Sequence, residues 1–148
     1  MEAIIFCGIQ ATGKSTFYKK MFFNSYVHVS MDLLKTRNRE QQLIDFCLKT
    51  QMPFVVDNTN LTIIERAKYI SLAKERKYKI IAYYFQSKLE ESLSRNKQRI
   101  GKECIPDIGI LSAYKKLQLP SKDEGFDELY YVSIKNGEFQ IKEWSNEI

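Results

Sequence analysis

The sequence predicts a three-layer α/β fold, in which helices flank a mostly parallel sheet of about five strands and a C-terminal hairpin adds an edge strand. Two observations predict this architecture. Short apolar runs typical of buried parallel strands alternate with segments of helical periodicity, and a glycine-rich turn joins the first strand to the first helix. The 148 residues are 44% hydrophobic, which is enough for one domain with a real core over residues 1–148.

The turn after the first strand carries a phosphate-binding pattern. It fits G-x-x-x-x-G-K-[ST] at every fixed position. A loop that wraps a polyphosphate points backbone N–H groups inward, which requires glycine where a Cβ would clash, and the next helix adds its positive N-terminal end. Lys14 is expected to reach the outer phosphates and Ser15 to offer its hydroxyl to Mg²⁺. The predicted nucleotide-binding residues of this loop are Gly8, Gln10, Ala11, Thr12, Gly13, Lys14, Ser15 and Thr16.

The alternative for this segment is an ordinary strand–turn–helix whose glycines only form the turn. The flanks favour nucleotide binding. The apolar run Ala3–Cys7 ends one residue before Gly8, as expected of a buried parallel strand. Phe17 and Met21 then recur at helical spacing.

The first helix, predicted to end near Phe23, brings the chain away from the loop, and a strand over Tyr26–Met31 returns it. The helix rises about 16 Å and the strand spans about 20 Å. Asp32 therefore returns to the carboxyl edge of the sheet, where open α/β folds bind ligands. This placement makes Asp32 a candidate general base and substrate contact. The alternative is that Asp32 only caps the helix that starts at Leu33.

Residues 33–50 are predicted to form one or two helices, and Phe54–Asp57 a short buried strand. That strand ends at Asp57, whose carboxylate is suitably placed for the magnesium ion of a nucleotide. Asn58 and Asn60 follow in a polar loop at the same edge and are candidate substrate-binding residues. Turn formation is their alternative role.

A helix is predicted over residues 62–77, opened by a capping box of Thr62 and Glu65. The next strand is predicted over Lys79–Phe85, with Ser87 as the cap of a helix over residues 88–98. A further helix over residues 106–117, a loop over 119–127, a strand over 128–134, the hairpin signal Asn136-Gly137 and an edge strand over 138–143 complete the chain.

Two arginines near the end of the helix over residues 88–98 form a second candidate site. Arg95 and Arg99 are four residues apart and are expected to share a helix face. Arginines just outside a phosphate site can neutralise the charge that develops on a transferring phosphoryl group. The alternative is that they pair with nearby carboxylates or face solvent.

The charge is unevenly distributed. The net charge is +5, and residues 65–102 carry 11 basic and 4 acidic side chains while residues 103–148 carry 5 and 9. A basic segment beside a phosphate loop suits a polyanionic second substrate, although a solvated, lysine-rich helix face explains part of it.

The chain has the sequence features expected of a cytoplasmic protein. The three cysteines are an odd number without metal-type spacing, which indicates a reducing compartment. No apolar run approaches the ~20 residues needed to span a bilayer, and the first strand begins at once, so neither a signal peptide nor a membrane partner is expected. The single histidine, His28, is expected to be structural.

Five segments together make the chain resemble the bacteriophage-type polynucleotide 5′-kinase family of P-loop kinases, an AAA-type ATP-binding group. The resemblance covers most of the chain. The segments are Gly8–Thr16, Val29–Asp32, Val55–Leu61 with its D-x-T-N-L pattern, Tyr78–Phe85, and Arg95–Arg99 followed by Gly101 and Pro106, which is similar to the family's arginine lid.

The resemblance implies an enzyme that transfers the γ-phosphate of ATP, with Mg²⁺, to a 5′-hydroxyl end of RNA or DNA. Asp32 would accept the proton of the attacking hydroxyl, and Lys14, Arg95 and Arg99 would hold the transferring phosphoryl group, with Ser15 and Asp57 on the magnesium side. Homo-oligomers and other nucleic-acid repair components are further partners that the resemblance allows.

Two departures bear on the acceptor. Family members often place an acid directly after the catalytic aspartate and an arginine three residues on, where this chain has Leu33 and Lys35. Lys35 is a candidate contact for a substrate phosphate, as a point charge rather than a bidentate fork. Because the segment between Asp32 and Phe54 is also short, a small-molecule kinase for a nucleoside, sugar or antibiotic is the main alternative. A non-catalytic nucleotide-binding module is the other.

Overall fold

A computed structural model of the chain describes residues 1–145, except for the side chain of Lys102. A sheet of six strands forms its centre, in the order β2-β3-β1-β4-β5-β6. Strands β1 to β5 are parallel, and β6 pairs antiparallel with β5. The strands are β1 (Glu2–Cys7), β2 (Val27–Val29), β3 (Phe54–Val56), β4 (Lys79–Phe85), β5 (Glu128–Lys135) and β6 (Glu138–Glu143).

Helices connect the parallel strands and cover the sheet, which confirms the predicted three-layer α/β architecture and its antiparallel edge hairpin. The helices are α1 (Lys14–Met21), α2 (Met31–Leu34), α3 (Arg37–Thr50), α4 (Ile63–Glu75), α5 (Leu89–Lys97) and α6 (Asp107–Lys116), with single 3₁₀ turns at Gly101–Glu103 and Lys122–Glu124. Asn136 and Gly137, at φ 53° and 76°, form the tight turn between β5 and β6.

The core lies on both faces of the sheet because the buried strands are apolar throughout. In β1, Ala3 and Ile5 belong to the cluster on one face, and Ile4 and Phe6 belong to the aromatic-rich cluster on the other. This two-sided burial is what a continuous apolar run predicts.

Four local predictions differ from the structure. The second strand is shorter than expected and ends at Val29, since the backbone turns into α2 at Met31. Ser87 does not cap the following helix, whose N-cap is Lys88. That helix ends at Lys97, so Arg99 lies beyond it rather than on the same helix face as Arg95. The predicted loop over residues 119–127 contains the 3₁₀ turn at Lys122–Glu124.

The predicted capping box at the start of α4 is half formed. The Thr62 side chain accepts the N–H of Glu65 at 3.2 Å, as expected. The Glu65 carboxylate instead accepts the N–H of Leu61 at 3.1 Å, one residue earlier than the motif requires. The helix start is therefore held from two successive residues of the preceding loop.

A buried ion pair links α4 to the second 3₁₀ turn. Arg66 is fully buried, and its Nε donates to Glu124 Oε1 at 2.8 Å while Nη2 donates to Oε2 at 3.1 Å. Its Nη1 donates to the carbonyl of Asn60 at 2.8 Å. This pair fixes the loop after β3, which faces the carboxyl edge of the sheet.

No helix among the described residues is both long and apolar enough to cross a membrane.

Candidate active site

A cavity of about 330 Å³ opens at the carboxyl edge of the parallel strands, where α1 starts. It brings together the phosphate loop, the start of α2, the loop after β3 and the segment after α5. Its lining is Gln10, Ala11, Lys14, Ser15, Met31, Asp32, Arg37, Asp57, Asn58, Thr59, Arg99 and Ile105.

The phosphate loop depends on two glycines for steric reasons. A Cβ at Gly8 would lie 3.0 Å from the carbonyl oxygen of Phe85 in β4. Gly13 has φ 93°, and a Cβ there would lie 3.0 Å from the ring of Phe139 in β6. Ala11 takes a left-handed conformation at φ 60°, a strain that usually marks functional loops.

Two side-chain hydroxyls hold the loop, one from outside it and one from within it. The hydroxyl of Ser87 accepts the N–H of Ile9 at 3.0 Å, and the hydroxyl of Thr12 donates to the carbonyl of Ile9 at 2.9 Å. Gln10 lines the cavity, and its Oε1 is buried without a partner among the described residues. Thr16 is exposed on the first turn of α1.

Lys14 lies inside the loop and faces the cavity. Its Nζ donates to the carbonyls of Gly8 at 2.9 Å and Ile9 at 2.7 Å. Burial lowers the pKa of Lys14 to about 8, against the opposing attraction of Asp57. The ammonium is thus held by neutral carbonyls in a site that would gain from an anion.

Ser15 and Asp57 meet on one side of the cavity. The Ser15 hydroxyl donates to Asp57 Oδ2 at 2.9 Å, and His28 Nε2 lies 2.7 Å from the same oxygen. The side chain of Asp57 is 2% exposed, and the His28 ring stacks on Tyr18 with centroids 3.8 Å apart. His28, which the sequence predicted to be structural, contacts the carboxylate of the site.

The donor set of this corner fits a magnesium ion that is shared with a nucleotide. Within residues 1–145, apart from the side chain of Lys102, no cluster of three His, Cys, Asp or Glu side chains could hold a metal alone. One hydroxyl and one carboxylate on opposite elements leave the remaining positions to phosphate oxygens and water, which is how proteins usually bind Mg²⁺.

Asp32 lies in α2 and lines the same cavity as the phosphate loop. It is the second residue of that short helix, whose N-cap is Ser30, so the capping alternative for Asp32 is wrong. Its side chain is exposed, and no hydrogen bond or ion pair to the described residues engages its carboxylate. The start of α2 is anchored because Asn58 Oδ1 accepts the N–H of Met31 at 3.0 Å.

Arg95 and Arg99, the two arginines predicted to form a lid, reach the site differently. Arg99 lines the cavity, and its Nη1 donates to the carbonyl of Glu103 at 3.2 Å. Arg95 Nη1 donates to the carbonyl of Ala11 in the phosphate loop at 3.2 Å, and its Nη2 lies 3.5 Å from Glu91. Buried Asn96 ties this segment down through hydrogen bonds of 2.6 and 3.0 Å to the backbone of residue 105.

The predicted substrate residues separate into two groups. Asn58 lines the cavity, and its Nδ2 donates to buried Glu40 at 2.9 Å. Asn60 is 3% exposed and its side chain donates to the carbonyl of Phe6 at 2.7 Å, so it joins the loop to β1. Lys35 is exposed and does not line the cavity. Arg37, two residues later, does.

A buried carboxylate organises this side of the site. Glu40, with its side chain 2% exposed, accepts hydrogen bonds from Arg37 at 3.0 Å, Tyr69 at 2.9 Å and Asn58 at 2.9 Å, and lies 3.3 Å from Lys68 Nζ. Burial tends to raise the pKa of Glu40, but these hydrogen bonds outweigh it and hold the pKa below its ordinary value.

Sequence reasoning missed the roles of Ser87, His28, Arg37 and Glu40. Ser87 and His28 act through partners far away in sequence, whereas Arg37 and Glu40 pair with each other three residues apart. The spacing of Arg37 and Glu40 on a helix was a readable signal of an ion pair. No local sequence pattern indicated the roles of Ser87 and His28.

The fold, the phosphate loop and the cavity define a P-loop kinase domain. A family model described as an AAA domain matches residues 4–108, and the chain belongs to that family. A crystal structure of a gluconokinase from Sinorhizobium meliloti 1021 is similar to this chain with a TM-score of 0.62 at 16% identity, covering 89% of this chain and 82% of that one.

Two relatives are named as polynucleotide enzymes. The chain is 30% identical over 138 residues to a bifunctional polynucleotide phosphatase/kinase of Schizosaccharomyces pombe, and 30% over 140 residues to a putative protein of that name from Acanthamoeba polyphaga mimivirus. Each match covers 90% of this chain. The chain spans about one third of each relative, 34% and 33% respectively.

Proposed function

We propose that this protein is a polynucleotide 5′-hydroxyl kinase that transfers the γ-phosphate of ATP to the end of an RNA or DNA strand. The observation that carries the proposal is Asp32, an unengaged carboxylate that faces the same cavity as Lys14, Ser15 and Asp57. A protein that only binds nucleotide has no need of a free carboxylate at that place. The non-catalytic alternative therefore leaves Asp32 unexplained.

In the proposed donor half, the phosphate loop binds the triphosphate of ATP. Lys14, now held by two backbone carbonyls, exchanges these neutral partners for phosphate oxygens. Ser15 and Asp57 would hold Mg²⁺, which would neutralise part of the negative charge of the phosphates. Arg99 from the cavity wall and Arg95 beside the loop add donors for the charge that develops during transfer.

In the proposed acceptor half, Asp32 accepts the proton of the attacking 5′-hydroxyl. The hydroxyl oxygen forms a bond to the γ-phosphorus while the bond from that phosphorus to the β–γ bridging oxygen breaks. ADP leaves, and the proton on Asp32 passes to solvent. The carboxylate can act as the base because it is exposed and has no partner among the described residues.

The polynucleotide acceptor is favoured over a small molecule by two observations. Both relatives described above are named polynucleotide phosphatase/kinases. The basic segment over residues 65–102 supplies Arg99 to the cavity, which suits a polyanionic acceptor. A small-molecule kinase shares the donor half and is the second candidate, since the gluconokinase has the same fold.

A transfer assay tests the proposal directly. Labelled ATP, Mg²⁺ and 5′-hydroxyl oligonucleotides of RNA and DNA are expected to give 5′-phosphorylated product. Replacing Asp32 by Asn should lower kcat by about 10²- to 10⁴-fold, because general-base catalysis has this magnitude. The matched control is Asp45→Asn on the exposed face of α3, which should keep the parent rate.

One outcome would contradict the polynucleotide kinase proposal, and a second would contradict only the role assigned to Asp32. Absence of transfer to every oligonucleotide, with transfer to a sugar or nucleoside, would establish the small-molecule alternative. A full rate in the Asp32→Asn variant would remove the general base but leave the kinase. Salt provides an independent check, since KM for a nucleic-acid acceptor should rise steeply with salt while KM for a neutral acceptor should not.

A further inference from the structure

A second cavity of about 310 Å³ adjoins the active-site cavity. The two share Arg37, Asn58 and Thr59 as a common wall. The outer wall of the second cavity comes from the first two turns of α4, which contribute Ile64 and Lys68. Neither the phosphate loop nor Asp32 lines it, so the proposed transfer chemistry leaves this space unexplained.

Two cationic side chains, Arg37 and Lys68, line the second cavity, and both contact Glu40. Every hydrogen bond of the Arg37 guanidinium to the described residues is made by Nη1, to Glu40 and the Tyr69 hydroxyl. The Nε and Nη2 donors stay available, and the side chain is 62% exposed. Lys68 Nζ uses one contact, at 3.3 Å to Glu40, and its side chain is 43% exposed.

Two carboxylates lie near these cations, and they differ in how fully they are hydrogen-bonded. Glu40 is buried and accepts hydrogen bonds from four side chains that line the cavity. Glu65 also lines the cavity; its side chain is exposed, its Oε2 accepts the N–H of Leu61, and its negative charge offsets part of the positive charge of Arg37 and Lys68. Two cations with unused donors, fixed by a buried carboxylate, form an arrangement that binds a phosphate group by charge-assisted hydrogen bonds.

An apolar side chain stands beside the cations. Ile64 is 84% exposed at the rim of the cavity. It offers a flat aliphatic surface to a sugar or base, while Lys68 one helical turn further along α4 offers a positive charge. A pair of phosphate-binding cations next to an exposed aliphatic side chain matches a nucleotide better than a simple sugar.

We propose that the second cavity binds the continuation of the acceptor strand. The phosphodiester that follows the terminal nucleotide lies between Arg37 and Lys68, and the second nucleoside packs against Ile64. This inference rests on the proposed function, since it places the acceptor hydroxyl at Asp32 in the adjoining cavity. It makes the protein a kinase that senses more than the terminal nucleotide.

Three acceptors that grow by one group at a time test the inference. They are thymidine, thymidine 3′-phosphate and the thymidine dinucleotide, each with a free 5′-hydroxyl, and a matching uridine series covers RNA. In the parent protein, KM should fall about tenfold when the phosphate is added, as expected for a charge-assisted contact, and a further ~3-fold when the second nucleoside is added and buries part of Ile64.

Each variant should remove one step of this series. Lys68→Met should abolish most of the gain from the phosphate while KM for thymidine stays within about twofold of the parent value. Ile64→Asn, at a position exposed enough to tolerate the change, should abolish only the gain from the second nucleoside. The matched control is Lys74→Met, an exposed position on the same helix outside the cavity lining.

The outcomes separate the inference from the proposed function. If oligonucleotides are phosphorylated but KM is the same for all three acceptors, the second cavity does not bind the strand and the kinase proposal stands. An equal rise in KM for thymidine and the dinucleotide in Lys68→Met would also overturn the inference. If no oligonucleotide is phosphorylated at all, the proposed function itself fails.

Discussion

Replacing Arg66 by Met should destabilise the protein more than any exposed arginine change. The Arg66 guanidinium is fully buried and makes two hydrogen bonds to Glu124 and one to the carbonyl of Asn60. Removing it leaves the Glu124 carboxylate, whose side chain is 6% exposed, without its cation. Breaking a buried pair in this way costs about 3–5 kcal/mol. For a chain of this size the melting temperature should fall by on the order of 10 °C.

Thermal and urea unfolding followed by circular dichroism measure this change. The control is Arg76→Met, at an exposed arginine at the end of the same helix, which should stay within about 0.5 kcal/mol. The double variant Arg66→Met/Glu124→Leu should recover most of the loss, because it removes both charges. A single Arg66→Met variant that melts within about 2 °C of the parent would refute the reasoning.

Three further predictions follow from the site. Glu40→Gln should lower the free energy of unfolding by about 2 kcal/mol at pH 7. Because the folded-state pKa of Glu40 is lowered, the stabilisation by its carboxylate is present above the unfolded pKa of about 4.3 and should fade on acidification. Urea unfolding at pH 7 and pH 4 would measure this change. Phe139→Ala should raise KM for ATP severalfold, since the Phe139 ring packs against Gly13. His28→Ala should raise the Mg²⁺ concentration for half-maximal activity, because Asp57 loses the contact at 2.7 Å; the stabilisation by ADP should then respond less to added Mg²⁺ in thermal unfolding.

Each of these predictions has an outcome that contradicts it. A Glu40→Gln deficit that grows between pH 7 and pH 4 would show that the carboxylate is not stabilising in its ionised form. Ile141→Ala, at an exposed position of the same strand as Phe139, should leave KM for ATP unchanged, and equal effects from both changes would rule out specific support of the loop. An unchanged Mg²⁺ requirement in His28→Ala would mean that Ser15 alone orients Asp57.

The strands and the phosphate loop could be predicted because their signals are local. An apolar run, a glycine pair and an Asn-Gly turn each act through residues within a few positions, so Lys79–Phe85 and Glu138–Glu143 were predicted at the bounds that the structure has. The roles of Ser87 and His28 could not be predicted, since their partners lie 78 and 29 residues away. Long-range pairing of this kind leaves no periodic pattern in a single sequence.

The same contrast separates the two halves of the candidate site. The proposed donor half is built from one short loop whose conformation demands glycine, so its residue pattern is readable and its ligand class follows from chemistry. The proposed acceptor half depends on Glu40, which joins α3, α4 and the loop after β3 through side chains far apart in sequence. Under the proposed function, acceptor recognition would be able to change through α3 and α4 while the nucleotide site stays intact, because Glu40 hydrogen-bonds Arg37 and Asn58 but, among the described residues, none of the phosphate loop. The proposed separation is one physical route by which a single fold could serve kinases with different acceptors.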